Sequence, residues 1–209
     1  MNTPLDLLRV DPIAFVLLAV ALIFAISLHE YGHALAADLQ GDRMPRAFGR
    51  LTPNPVRHLD PIGTLLIFLV GFGWGKPVEF RPEALASKRF GSALVAFAGP
   101  LVNLLLALVA AFLYVPARRN GYPSEAVDFL GLFLKINVFL AVFNLIPLPP
   151  LDGSRLLTVF LPPNRHSWVF WLDRYGFLVL LGLLLFGQLA FLDPLTTGVI
   201  EAMLGLAGA

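Results

Sequence analysis

His29, Glu30 and His33 stand in the order H-E-x-x-H, within His29-Glu30-Tyr31-Gly32-His33. Residues four apart on a helix share a face, so both imidazoles can reach one ion. Glu30, beside the first of them, is then placed to take a proton from water activated at that ion. With four His in 209 residues, chance seldom produces this order; the competing reading is a polar cluster that caps a helix or packs inside a bundle. The setting sharpens the chemistry. Ile13 to Leu28 holds no charged residue and leads straight into the pentad, and Ala34 to Ala37 continues the same helix. A zinc-type motif therefore sits in the last third of a membrane-length segment.

Two histidines leave a zinc ion one protein ligand short. The chain has no cysteine, so thiolates and disulfides are excluded and the third ligand must be a carboxylate or another histidine. Asp152 is the leading candidate. It follows Pro147-Leu148-Pro149-Pro150, which bars a regular helix and can turn the chain inward, and Gly153 frees the backbone beside it. Its competing reading is an ordinary Asp-Gly turn. His58 and Asp60, in a polar loop with water to satisfy them, are the rivals; His166, among interfacial residues, is read as solvated. Within the apolar stretches, Asn137 and Asn144 are seven apart and share a helix face, and Asn103 lies three residues beyond Pro100. Such amides can hold a substrate carbonyl or a developing oxyanion. Hydrogen bonding between helices is the other reading, and the preferred one for Asn137. Lys135 points away from the Asn144 face and is read as snorkelling.

The elements that must position these groups are membrane spans. The chain is 57% hydrophobic and 14% charged, where a soluble domain is nearer half apolar and a quarter charged. The excess lies in blocks, which indicates a multi-pass membrane protein. A net charge of +1, with no basic run interleaved with aromatics, argues against a nucleic-acid partner. The first span runs from about Pro12 to Leu39, started by Asp11-Pro12 and stopped at Gly41. It is retained, because cleavage as a signal peptide would sever the pentad's own helix. Phe90 to Val115, Ala126 to Ile146 and Tyr175 to Leu192 are the other spans, the last broken by Asp193-Pro194, with Trp168 and Trp171 as interface anchors. Ile62 to Gly75 is too short to cross and is interrupted by Gly63, Gly71, Gly73 and Gly75, so it dips in and returns or forms a strand pair. Ala47 to Thr52 has partial strand character. Lys76 to Arg81 is either an edge strand able to pair with an extended peptide or a connecting loop.

The expected fold is all-α and multi-pass. It has about four full transmembrane helices, a re-entrant or β-hairpin segment around 62–81, and a C-terminal partial span. Residues 1–209 form one integral-membrane domain, with a catalytic core over about 12–153 and a C-terminal helical segment over 154–209. With residues 62–75 re-entrant, Arg43, Arg46, Arg50, Arg57, Lys76, Arg81, Lys88, Arg89, Arg155, Arg165 and Arg174 share one side, against Arg9, Arg118 and Arg119. That asymmetry puts the pentad end of the first helix at the cytoplasmic face.

Taken together, H-E-Y-G-H (29–33), A-G-P-L-V-N (98–103) and N-L-I-P-L-P-P-L-D-G (144–153) resemble the site-2 protease family of intramembrane zinc metalloproteases, peptidase family M50. The likeness is closest to the short members without PDZ or CBS domains and covers roughly residues 12–192. It implies one Zn²⁺ per chain held by His29, His33 and Asp152, with Glu30 as general base and Asn144 and Asn103 as polar helpers. It also implies a three-helix catalytic core in the cell membrane, opening to the cytoplasm, and single-span membrane proteins as substrates. A non-catalytic metal-binding membrane protein or metal transporter is the alternative; a transporter would more naturally show inverted repeats, and none is evident. Oligomeric state is not legible in the sequence.

Overall fold

The computed structural model describes residues 4–70, 73–160 and 166–209, and every regular element among them is helical. Gly71 and Arg165, and the side chains of His166 and Trp168, lie outside the described residues. In order the helices are α1 (Pro4–Val10), α2 (Pro12–Leu39), α3 (Met44–Ala47), α4 (Pro61–Val70), α5 (Lys88–Arg119), α6 (Ser124–Asn144), α7 (Asp152–Phe160), α8 (His166–Leu185) and α9 (Leu192–Leu206). Three of them, α2, α5 and α6, are long and apolar enough to cross a membrane. Even the shortest, α6 with 21 residues, extends about 32 Å at the helical rise, enough for a hydrocarbon core of about 30 Å.

The ends of α2 obey local chemistry. Asp11 caps it by accepting the Ala14 N–H at 2.9 Å, and Pro12 opens the first turn without an N–H to satisfy. Gly41 stops it at φ 105°, a backbone setting that an L side chain would resist.

α2, α5 and α6 pack on one another around the pentad, α7 packs on α5, and α9 covers α5 and α6. Faces turned inward carry small residues: Ala21, Ala25, Ala34 and Ala37 on α2, and Ala96, Ala107, Ala110 and Ala111 on α5. Large apolar residues point out at helical spacing, as Val16, Val20 and Phe24 do on α2, and Leu94, Leu101, Leu105 and Val109 on α5. A water-soluble bundle would invert this pattern; helices surrounded by lipid use small residues to bring backbones together.

Several expectations are corrected. Residues 61–70 form α4 instead of half a strand pair, and the described residues contain no hairpin; a single antiparallel bridge joins Leu59 to Gly75. Residues 76–80 belong to no regular element. Ala47 ends the one-turn α3, so the partial strand character at 47–52 is overridden by a helix with a proline in its first turn. The last apolar block breaks at 186–191, not at Asp193-Pro194, which sit in the first turn of α9 where proline is tolerated. His58 is not solvated. Its ring is fully buried and its Nε2 lies 2.6 Å from the Thr52 carbonyl, while burial pulls its pKa below the ordinary value.

Candidate metal centre

α2 supplies two imidazoles one turn apart, set edge to face with ring centroids 4.6 Å apart. α5 crosses behind them, and its residues fix how each ring is turned. His33 Nδ1 lies 2.7 Å from the Val95 carbonyl, which cannot donate, so this nitrogen carries the proton. Here Pro100 has no N–H to offer Ala96, leaving this turn of α5 one helical bond short.

The orientation of His29 is set by a chain of amides. Asn137 Nδ2 donates to the Phe133 carbonyl at 2.8 Å, which turns its Oδ1 toward Asn103. Asn103 Nδ2 donates to that Oδ1 at 2.8 Å and to the Ala25 carbonyl at 3.2 Å. Its own Oδ1 therefore faces His29 and accepts from Nδ1 at 2.5 Å. Both rings consequently present bare Nε2 lone pairs inward.

The third group comes from the far half of the chain. Pro147 to Pro150 end α6, the backbone reverses, and Asp152 opens α7 with its carboxylate at the histidines. Asp152 Oδ2 is 3.1 Å from His29 Nε2 and 3.3 Å from His33 Nε2, and the two nitrogens are 3.0 Å apart. A tetrahedral zinc ion with bonds of 2.0–2.1 Å spaces its ligand atoms about 3.3 Å apart, so the triangle fits. The donor chemistry agrees: three lone-pair groups aimed at one point, with both Nδ1 protons spent elsewhere, repel unless a cation lies among them. Among the described residues, His29, His33 and Asp152 form the one cluster able to hold a metal.

The triangle lies on a cavity of about 560 Å³ whose lining includes Glu30 and Asn144 and whose far wall is apolar, with Phe143, Leu151, Phe177 and Leu180. The irregular segment 73–80 forms its roof through Trp74, Gly75, Pro77, Val78 and Phe80. Glu30 Oε2 accepts the Val78 N–H at 3.2 Å. Asn144 spends one amide hydrogen on the Leu140 carbonyl at 2.9 Å, and an amide has a second. Arg155 stacks over the Phe80 ring at 5.5 Å, and Trp74 meets Phe177 edge to face at 6.4 Å, tying the roof to α7 and α8. Nearby, the buried Asp42 accepts the Arg81 N–H at 2.6 Å and the Met44 N–H at 3.0 Å. Burial alone would raise the Asp42 pKa, but these donors and the Arg81 guanidinium outweigh it and hold it below the ordinary value.

The structure thus brings His29, Glu30, His33, Asp152 and Asn144 to one cavity. It does not bring Asn103 there: with both amide ends engaged behind His29, this residue has nothing free to offer an oxyanion, a correction to the expected helper role. His58 is outside the donor cluster, Asp60 caps α4 by accepting the Gly63 N–H at 2.8 Å, and Lys135 is exposed. Sequence reasoning missed Gly99. A Cβ there would lie 2.5 Å from His33 Cε1 and 2.7 Å from His29 Cε1. Its signal was the run of small residues before Pro100.

A bundle built on long apolar helices with a convergent His-His-carboxylate donor set defines a class, that of helical membrane proteins with a metal-type site. Comparison narrows it. The sequence profile of Peptidase family M50 matches residues 17–120 and 119–183. The Bacillus subtilis protein named "Putative zinc metalloprotease YwhC" is 37% identical over 193 residues, 90% of this chain and 85% of that one. A Mycolicibacterium smegmatis protein named "Putative zinc metalloprotease Rip2" is 31% identical over 181 residues, 82% of this chain and 67% of its own. "Zinc metalloprotease MJ0392" of Methanocaldococcus jannaschii is 26% identical over 153 residues, which is 72% of this chain but 36% of that protein. No solved structure matches. The chain belongs to peptidase family M50, the site-2 protease family.

Proposed function

We propose that this protein is a multi-pass intramembrane zinc metalloprotease that hydrolyses peptide bonds of single-span membrane proteins near the cytoplasmic side. The observation that carries the reading is the convergence of three lone-pair donors, from His29, His33 and Asp152, on a cavity that Glu30 also lines. One zinc ion, when bound there, would supply Lewis-acid polarisation of water and of a peptide carbonyl. The remaining steps belong to the chain. Glu30 takes the proton of the attacking water and later returns a proton to the leaving amine. Asn144 gives its remaining N–H to the carbonyl oxygen as that atom gains charge. A helical substrate hides its carbonyls in its own hydrogen bonds, so it unwinds and lies along residues 73–81. The excess of Lys and Arg on the segments bracketing the site sets its opening toward the cytoplasm. In this reading α2, α5 and α6 span the bilayer while α4 with residues 73–81 dips in from the same side.

Asn103 acts through His29, by holding its ring. Asn103→Ala is expected to weaken zinc binding about 10- to 100-fold, the usual range for a residue that orients a ligand, in a competitive chelator titration. Unchanged affinity would remove it from the site.

The reading as a whole is tested by zinc stoichiometry and reporter cleavage in proteoliposomes. Wild-type protein should hold one zinc per chain and cleave a membrane-embedded reporter. Asp152→Ala should lose both, with affinity down more than about 100-fold, while His58→Ala keeps its zinc. Zinc loss in the His58 variant would redraw the site. Metal uptake without any cleavage would favour a transporter.

A further inference from the structure

Arg50 is 93% inaccessible, with 7% of its surface exposed, yet it forms no ion pair among the described residues. The charges of Glu30 and Glu79 act on it without coming within ion-pair distance, so a buried guanidinium here must use its donors well. Its Nη2 donates to two successive carbonyls, Lys76 at 2.8 Å and Pro77 at 2.7 Å. The next N–H along the chain, that of Val78, is the one that Glu30 accepts. The same loop adds a second grip. The His58 carbonyl accepts the Lys76 N–H at 2.7 Å, and Leu59 bridges Gly75. Residues 75–78 are thus pinned along one edge by the 50–59 loop and touch the base of the cavity site through Val78. Proline at 77 removes an N–H that would otherwise compete for partners. Nη1 of Arg50 has no hydrogen-bond partner.

We propose that Arg50 is a positioning residue: it clamps the segment 75–78 over the cavity and so fixes the seat on which an unwound substrate strand is laid against Glu30. This rests on the protease reading above. The clamp acts on where the substrate lies, so its loss belongs in KM more than in kcat. Lysine can still reach both carbonyls with its three donors, whereas methionine keeps the bulk and loses every one.

The test compares wild type, Arg50→Lys and Arg50→Met in proteoliposomes with a single-span reporter, alongside amide hydrogen exchange over residues 73–81 and zinc content. Two charge-assisted hydrogen bonds predict a fall in kcat/KM of about 10- to 100-fold for Arg50→Met, carried by KM, with partial recovery in Arg50→Lys. Exchange over 73–81 should quicken in the same order while zinc content holds. Wild-type KM together with wild-type exchange in Arg50→Met would overturn the clamp, as would a loss of activity traced wholly to lost zinc. If Arg50→Met does not fold, Arg50→Gln, uncharged and too short to hold both carbonyls, takes its place, and wild-type KM and exchange there would overturn the clamp. Exchange does not depend on catalysis, so a wild type that never cleaves would end the protease reading and leave the clamp to be judged on its own.

Discussion

Glu30→Gln is expected to bind zinc as the wild type does and to cleave a membrane-embedded reporter at least about 100-fold more slowly, up to about 10⁴-fold, the span that a general base contributes. The two outcomes separate because Glu30 lines the cavity without belonging to the donor triangle. Glutamine keeps the length and can still accept the Val78 N–H that the carboxylate accepts at 3.2 Å, so the roof should stay in place. What it cannot do is take up a proton near neutral pH. Metal analysis and single-turnover cleavage on one preparation check the point. Turnover within a few fold of wild type would mean that another group carries the proton and that the pentad's glutamate is structural.

The second large effect is expected at a residue with no side chain. Gly99→Ala puts a methyl group 2.5 Å from His33 Cε1 and 2.7 Å from His29 Cε1, and nearer still to His33 Nε2. No real packing tolerates such approaches, so either α5 backs away or both rings swing. Each route breaks the hydrogen bonds from Nδ1 to Val95 and Asn103. A displacement near 1 Å at a reacting centre costs about 100-fold in rate, and zinc affinity should fall with it. Gly182→Ala is the control, because a Cβ there meets nothing within 4 Å. Zinc titration and thermal melting distinguish a displaced site from an unfolded one. Full zinc affinity in Gly99→Ala would show that the rings can give way.

The two imidazoles, the neighbouring glutamate, both ends of α2 and the acid at 152 were all legible, because each is written in local spacing or local backbone chemistry. The partnerships across helices were not. Position along a helix tells which residues share a face but not what faces them, so for Asn103 contact with substrate and hydrogen bonding between helices both stayed open; the structure holds it between Ala25, Asn137 and His29. His58 read as a solvated loop residue for a related reason. Its burial depends on Thr52 and on the strand-like segment it touches, neither of which its neighbours in sequence reveal. Residues 61–70 were ambiguous because a short apolar run with glycines suits a helix and a strand alike. Tertiary contact decided it, with α4 packing on α1. Arg50 carried no signal beyond its charge, and a basic residue in a polar loop is ordinarily solvated.

The acid and the first imidazole are 123 positions apart in the chain. While the ribosome is still making α5 and α6, the pentad is already in place but its cage is open on one side. The donor triangle is therefore incomplete until the proline-rich corner before α7 has been made and has brought Asp152 to the two imidazoles.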